Sequence, residues 1–375
     1  KGRCNLTNNC GKEEYLNNVV HGSKFMMSAI NGFDCSDTIN FFENLGLRTK
    51  TERGNRVFPL SDKASDVTKA LLSNCNNCVF MLEEEVEFIC KENDIFKIKT
   101  NKNEYSFDRV VVACGGKSYP ATGSSGDGYK FAKMFGHKVN TPSPALVPIK
   151  LKDKFVSSLQ GLSLKNVELK ALISGKEKKL FGEMLFTNDA ISGPIALSLS
   201  SYIGNEKDVK LSIDFKPALT TEQLEKRVLG DFNLNLNKNI SYILKGLLPH
   251  RLVAVFLTKL NLSGEEKVNS ITSEKRKELV YLLKNFALNY DKLYPVETGI
   301  ITSGGVDLKE VNPKTMESKL VSGLYFVGEV LDIDCLTGGF NLQTAFSTDY
   351  ACAVNKPFCV IIKSTNRKQS FVSFN

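Results

Sequence analysis

The stretch from Gly323 to Phe346, GLYFVGEVLDIDCLTGGFNLQTAF, constrains this 375-residue chain more than any other. Leu324-Tyr325-Phe326-Val327 is an unbroken apolar run closed by Gly328, the pattern of a parallel strand buried on both faces. Thr337-Gly338-Gly339 then opens a helix that places Leu342, Ala345 and Phe346 at helical spacing. Between strand and helix, Glu329, Asp332 and Asp334 fall on a loop beyond the carboxyl end of the strand, where open α/β sheets bind their ligands. Glycines at a helix N-terminus let a ligand reach bare backbone N–H groups, and the helix dipole favours an anionic or electron-rich atom there. The acids suit sugar or ribityl hydroxyls. A strand-turn-helix packing unit with solvated acids fits the same residues, and the local pattern does not separate the two readings.

The motif has a counterpart upstream. From Glu85 the apolar pattern has period two, and three short strands around Val86–Cys90, Ile95–Ile98 and Tyr105–Phe107 make a β-meander. It runs into Val110-Val111-Val112-Ala113-Cys114-Gly115-Gly116, a buried strand ending in glycines, then a glycine-rich loop and a helix from Tyr129 to Phe135 stopped by Gly136. Two strand-glycine-helix units can converge on one ligand at a switch point of the sheet. A phosphate loop of the GKS type at Gly116-Lys117-Ser118 is the rival, but the required upstream glycine is missing and Tyr119-Pro120 interrupts the helix. Nearer the N-terminus, Ser36 or Asp37 is expected to cap an amphipathic helix through Leu45, and a second helix follows from Ser65.

Pro142, Pro144 and Pro148 mark a boundary. Beyond it, alternating runs at 167–173, 180–186 and 209–215 suggest a small barrel or sandwich, with a turn at Ser174-Gly175, and from Thr220 the periodicity becomes helical. Ile191-Ser192-Gly193-Pro194 reads as a strand or helix entry. Ile300 to Val306 returns to strand and glycine chemistry. The organisation expected is residues 1–145 as the first part of an α/β ligand-binding domain and 146–300 as an insert, β-rich over 146–219 and helical over 220–290. Residues 301–353 are the second part, and 354–375 a tail of no assigned role.

A hydrophobic share of 42% with 24% charged residues is ordinary for a soluble globular protein, and no run approaches a membrane span. Ten cysteines without scaffold density favour a reducing, cytoplasmic setting, and Cys75-Asn76-Asn77-Cys78 lacks a partner pair for zinc. The net charge of +8 is dispersed, which supports attraction of anionic ligands better than a nucleic-acid groove. His21, His137 and His250 are isolated, so neither a metal site nor a nucleophile-base constellation is expected of them, and no catalytic side chain is assigned. At the N-terminus, Arg3 can fork onto a phosphate pair while Asn5, Thr7 and Asn8 offer donors to the same ligand, although a solvated loop fits as well.

GRCNLTN at 2–8, RVFPLSDKASDV at 56–67, ACGGKSYPATGSSGDGY at 113–129, LFTNDAISGP at 185–194, TSGGV at 302–306, NPKTMESKL at 312–320 and GLYFVGEVLDIDCLTGGFNLQTAFST at 323–348 resemble the BaiN-type NAD(P)/FAD-dependent oxidoreductases, also called the YhiN or aminoacetone oxidase family. The resemblance runs in order from Lys1 to about Ala353. It implies an FAD-binding Rossmann-like α/β domain interrupted by an inserted β-barrel-like and helical domain. It places Arg3, Asn5 and Thr7 near the pyrophosphate and ribityl chain, Val86 at the adenine, and Gly115 and Gly116 behind the dinucleotide. Glu329 and Asp332 would take ribityl hydroxyls, while Gly339, Asn341 and Leu342 present backbone to the flavin ring, with Gly328 and Gly338 completing the set.

Phe340 stands where Tyr is usual, Cys335 and Asp349 where Gly is common, and residues after 353 do not match. Family members open with a strand and GxGxxG turn, whereas this chain starts after them, so the expectation is a sheet left open and FAD weakly held. The resemblance implies flavin-mediated hydride or electron transfer with NAD(P)H as donor and a small-molecule substrate; composition leads us to expect no nucleic-acid or membrane partner, and the oligomeric state is unassigned. A non-catalytic or truncated flavin-binding fragment is the alternative, and a basic nucleic-acid-modifying flavoprotein a third reading resting on charge alone.

Overall fold

Local signals along the first third of the chain give short elements that close on one another. The structure, a computed structural model, describes residues 2–75, 78–354, 360–364 and 369–374. Strand β1 (Thr7–Asn8) is followed by α1 (Lys12–Asn17), β2 (Val19–His21), α2 (Ser23–Gly32) and α3 (Cys35–Asn44). Helix α3 starts earlier than its sequence suggests: Asp34 is the cap, accepting from the N–H groups of Ser36 (2.9 Å) and Asp37 (3.1 Å). Asp37 instead returns its carboxylate to the Asp34 N–H, so the two acids form a capping box. Strands β3 (Thr49–Glu52) and β4 (Arg56–Pro59) form a hairpin that pairs with β1, and α4 (Ala64–Leu72) buries Val67 and Ala70.

Strand β5 (Cys78–Met81) precedes the meander of β6 (Val86–Glu92), β7 (Ile95–Thr100) and β8 (Glu104–Phe107). The first hairpin turns at Asn93-Asp94, both at positive φ (48° and 67°), the primed turn that matches strand twist. Cys75 and Cys78 flank Asn76 and Asn77, which lie outside the described residues. Strand β9 (Val110–Val112) is buried throughout, α5 (Asp127–Met134) follows its glycine loop, and β10 (Val139–Ala145) carries Pro142 and Pro144 inside the strand. The prolines fit because, among the described residues, β10 pairs with one strand, and its register shifts between Asn140 and Ser143.

Two compact units divide the chain: one of Lys1–Leu146 with Pro295–Asn375, the other Val147–Tyr294. In the second, β11 (Ile149–Leu151), β12 (Ser163–Ile173), β13 (Lys176–Phe186), β14 (Ala190–Ser192), β15 (Val209–Asp214), β16 (Phe286–Leu288) and β17 (Tyr290–Leu293) form one antiparallel sheet. The strand order is β16-β15-β12-β13-β14-β11-β17, and β17 also meets β15, so the sheet curls. Helices α6 (Pro194–Ile203), α7 (Thr221–Asn233), α8 (Ile240–Leu247), α9 (His250–Leu260) and α10 (Ser273–Lys284) complete it. The helical signal stops at Lys284, six residues short of the expected 290, because buried Phe286 and Leu288 alternate as β16. Phe256 stacks on Phe286 at 5.1 Å, with Phe215 edge-on at 5.6 Å, in its core.

The first unit resumes with β18 (Ile301–Val306), antiparallel to β10, then β19 (Leu324–Phe326), β20 (Asp334–Cys335) and α11 (Phe340–Ala353). Strand β19 runs parallel to β9, as its apolar run predicts, with Leu324 beside Val110. The opposite edge of β9 does not stay open. Strand β21 (Val360–Ser364) lies parallel along it, and β22 (Gln369–Phe374) connects β21 antiparallel to β5, giving the order β19-β9-β21-β22-β5. An apolar strand with an unpaired row of N–H and C=O groups is an unstable edge, and the tail, given no role by its sequence, covers it. Among the described residues no helix is long and apolar enough to cross a membrane.

Candidate functional site

The turn before α11 meets β1 backbone to backbone. A Cβ on Gly339 (φ 101°) would lie 2.3 Å from the Thr7 carbonyl oxygen, so any side chain there pushes β1 away. With its amide oriented to satisfy both ends, Asn5 accepts the Gly339 N–H at 2.9 Å and donates to the Val57 and Thr7 carbonyls. The helix N-terminus is thus not bare, contrary to the sequence reading. Asn8 Nδ2 donates to the Gly338 carbonyl (3.0 Å), while Asn8 Oδ1 is buried without a partner. Asn341 closes the turn on itself, accepting from the Cys335 N–H and donating to the Cys335 carbonyl.

Behind the turn, fully buried Gln343 fixes the register of three elements. Its Oε1 accepts the hydroxyls of Thr7 (2.6 Å) and Thr38 (2.8 Å), and its Nε2 donates to Ser347 Oγ and the Phe33 carbonyl. Sequence reasoning passed over Gln343, since a lone Gln in a helix carries no local signal of burial.

At the carboxyl end of β9, Gly116 packs under Thr302 and Glu329: a Cβ there would lie 2.4 Å from Thr302 Oγ1 and 2.5 Å from Glu329 Oε1. Thr302 Oγ1 accepts the Lys117 and Ser118 N–H groups (2.8 and 3.1 Å), so the amides a phosphate loop would present are occupied. Gly115 (φ 71°) is more open, its Cβ meeting only Ser124 Oγ at 3.4 Å. Glu329 accepts the Thr302 N–H at 2.9 Å, and burial pushes its carboxyl up to about 7 against the pull of that hydrogen bond. Gly328 gives its N–H to Thr348 Oγ1. Asp332 accepts from Asn140 Nδ2 at 2.7 Å.

A raised carboxyl pKa costs stability once the unfolded chain ionises. Below the ordinary value of 4.5 both states are protonated and the cost is nil; it grows with pH and is complete above about 7. Glu329→Gln removes this titration. Urea unfolding at about pH 4 and about pH 8 should show the variant gaining roughly 1–3 kcal/mol on the wild type across that interval.

The third group contains a histidine that sequence reasoning left isolated. Pairing of β2 with β20 puts His21 opposite Asp334, with Nδ1 2.5 Å from Oδ1. Ser303 Oγ donates to the same oxygen at 2.9 Å, whereas Asp334 Oδ2 is buried and unpaired. The His21 side chain is 53% exposed while Asp334 is sealed, so the ring is oriented from behind and open in front. The hydrogen bond to Asp334 leads in raising the His21 pKa, helped by the charges of Asp334 and Asp332 and opposed by burial.

Of the expected ligands, Arg3 is engaged by carboxylates, Val86 by the core, and Leu342 follows Asn341 in the first turn of α11. Arg3 forks onto Asp62 at 2.8 Å and Glu52 at 2.6 Å, and stacks over Phe58. Leu342 stands partly exposed. Asn5, Thr7, Gly338, Gly339 and Asn341 do come together at one turn, and Gly115, Gly116 and Glu329 at a second cluster.

The chain matches the HI0933-like protein Rossmann domain across residues 1–355. It is 30% identical over 362 residues to a 3-dehydro-bile acid delta(4,6)-reductase of Clostridium scindens, a match covering 93% of this chain and 86% of that one. It is 31% identical to a ribosomal RNA dihydrouridine synthase of Haemophilus influenzae, covering 94% and 87% of the two chains. The corresponding ribosomal RNA dihydrouridine synthase of Escherichia coli is 31% identical, with 94% and 86% covered.

Proposed function

The chain belongs to the HI0933-like Rossmann family and is an oxidoreductase, and from that premise we propose an FAD-dependent reductase that draws electrons from NAD(P)H. Its substrate is a small molecule with a carbon–carbon double bond, and His21 supplies the proton. The names of the relatives speak of one chemistry, a delta(4,6)-reductase and synthases of dihydrouridine, each adding hydrogen. Ten cysteines spread along the chain without scaffold density suit a cytoplasmic enzyme.

The observation that carries the reading is His21, half-exposed and held from behind by buried Asp334, where β2 pairs with β20 just before the turn into α11. An imidazole braced by a buried carboxylate and open on its other side can give a proton to a bound substrate. Asn5, Thr7, Gly338, Gly339 and Asn341 would shape the ring end of FAD, and Gly115 would admit its phosphates. Bound FAD supplies hydride transfer; the protein supplies position, exclusion of water and a proton. Glu329, turned inward on Thr302, backs Gly116 and carries no ribityl contact in this reading; Arg3 and Val86 carry none either.

Ultraviolet-visible spectra of the protein as purified and after incubation with FAD test the assignment, followed by NAD(P)H oxidation with an enone acceptor. Flavin absorption with acceptor-dependent oxidation is expected; no flavin uptake defeats it. A second reading, uridine of ribosomal RNA as substrate, is favoured by the two relatives named as ribosomal RNA dihydrouridine synthases. Dihydrouridine formed in added ribosomal RNA, with none of the enone reduced, would select it.

A further inference from the structure

Cys10 lies on the link between β1 and α1, Cys35 is the first residue of α3, and their sulfurs are 3.9 Å apart. We propose that Cys10 and Cys35 are a redox-modifiable dithiol, closed to a disulfide by a hydroperoxide and reopened by a thiol reductant. This inference is independent of the flavin.

The geometry separates the pair from the other described cysteines. Cys35 is 1% exposed and Cys10 is half-buried, so one sulfur reaches solvent while the other is sheltered. The sulfurs need to close by about 2 Å to reach bonding distance. Either sulfur can donate to the other across the 3.9 Å between them. The Cys10 thiol leads in pulling the Cys35 pKa below the ordinary range, with the Thr7 hydroxyl and the Asn8 N–H assisting and burial and the Asp34 charge opposing. Cys10 is pushed up by Cys35, by burial and by the charges of Glu14 and Asp34, the latter bridged to Lys12 at 3.7 Å. A thiolate at the start of a 10-residue helix also has the favourable end of the helix dipole.

The chemistry closes without a further reagent. One sulfur takes an oxygen from the hydroperoxide, becoming a sulfenic acid and releasing water or alcohol. The second sulfur displaces that oxygen as water, so two thiol hydrogens leave and one S–S bond forms. The bond ties the end of β1 to the start of α3, elements that Thr7 and Thr38 already join through Gln343.

Hydrogen peroxide added to the full chain should remove two thiols first, and a non-reducing peptide map should contain a Cys10–Cys35 link that dithiothreitol removes. Closing residues 11–34 into a loop should raise the melting temperature by roughly 5 °C. Cys10→Ser should lose both the link and the shift. The proposal is overturned if Cys10 and Cys35 stay reduced while Cys75, Cys78 or Cys90 oxidise, or if Cys10 reaches sulfinic acid unlinked. A link that forms no faster in native than in urea-unfolded protein overturns it as well.

Discussion

Replacing His21 with Asn is expected to slow substrate reduction by about 10²–10⁴-fold, the usual contribution of a positioned general acid. Flavin reduction by NAD(P)H, which needs no proton from His21, should keep its rate in stopped-flow measurements. Asn suits the comparison because its amide can still donate to Asp334, so the buried carboxylate does not become a second lesion. The pH profile gives the sign. Asp334 holds the His21 pKa above its ordinary 6.5, so the acid form is present below the raised value and is lost as pH rises through it. Wild-type turnover should therefore fall on the alkaline side, and His21→Asn should lack that limb. Glu329 also titrates, at about 7, through its own burial. Glu329→Gln must keep the alkaline limb if His21 is the donor; its disappearance there would move the proton to Glu329.

Asp214→Ala should destabilise the second unit by about 3–5 kcal/mol, because it strands buried ammonium groups without their counter-ion. The Asp214 side chain is 4% exposed at the end of β15, with Lys284 Nζ at 2.7 Å and Lys170 Nζ at 3.4 Å. Its other oxygen accepts the Lys216 N–H at 2.9 Å. Lys284 is held in place by the Leu219 and Lys216 carbonyls, so it cannot follow solvent when Asp214 is lost. Calorimetry should place the melting of this unit roughly 10 °C lower. Asp214→Asn, which keeps an acceptor for the Lys216 N–H, should lose less.

Where the signal is local, the sequence was legible. Val110–Val112 and Leu324–Phe326 have no polar face, and both are parallel strands of one sheet. The meander and the Ser174-Gly175 turn follow from period two and from residues that tolerate positive φ. What failed to be legible depends on distant pairing. His21 and Asp334 are separated by 313 positions and Thr7 and Gln343 by 336, and no periodicity reports such contacts. Gly339 was read as leaving its N–H bare for a ligand, whereas the Thr7 carbonyl sits where a side chain would and Asn5 takes the N–H. Arg3 illustrates the converse. A guanidinium suits phosphate and carboxylate equally, and the hairpin of β3 and β4 brought the carboxylates.

Ala145 and Ile301 face each other across the β10–β18 ladder, so the chain departs for its second unit and comes home at a single rung. An excursion that begins and ends at one point imposes no span on what lies between. Lengthening, trimming or exchanging the intervening module therefore leaves the host ladder unstretched.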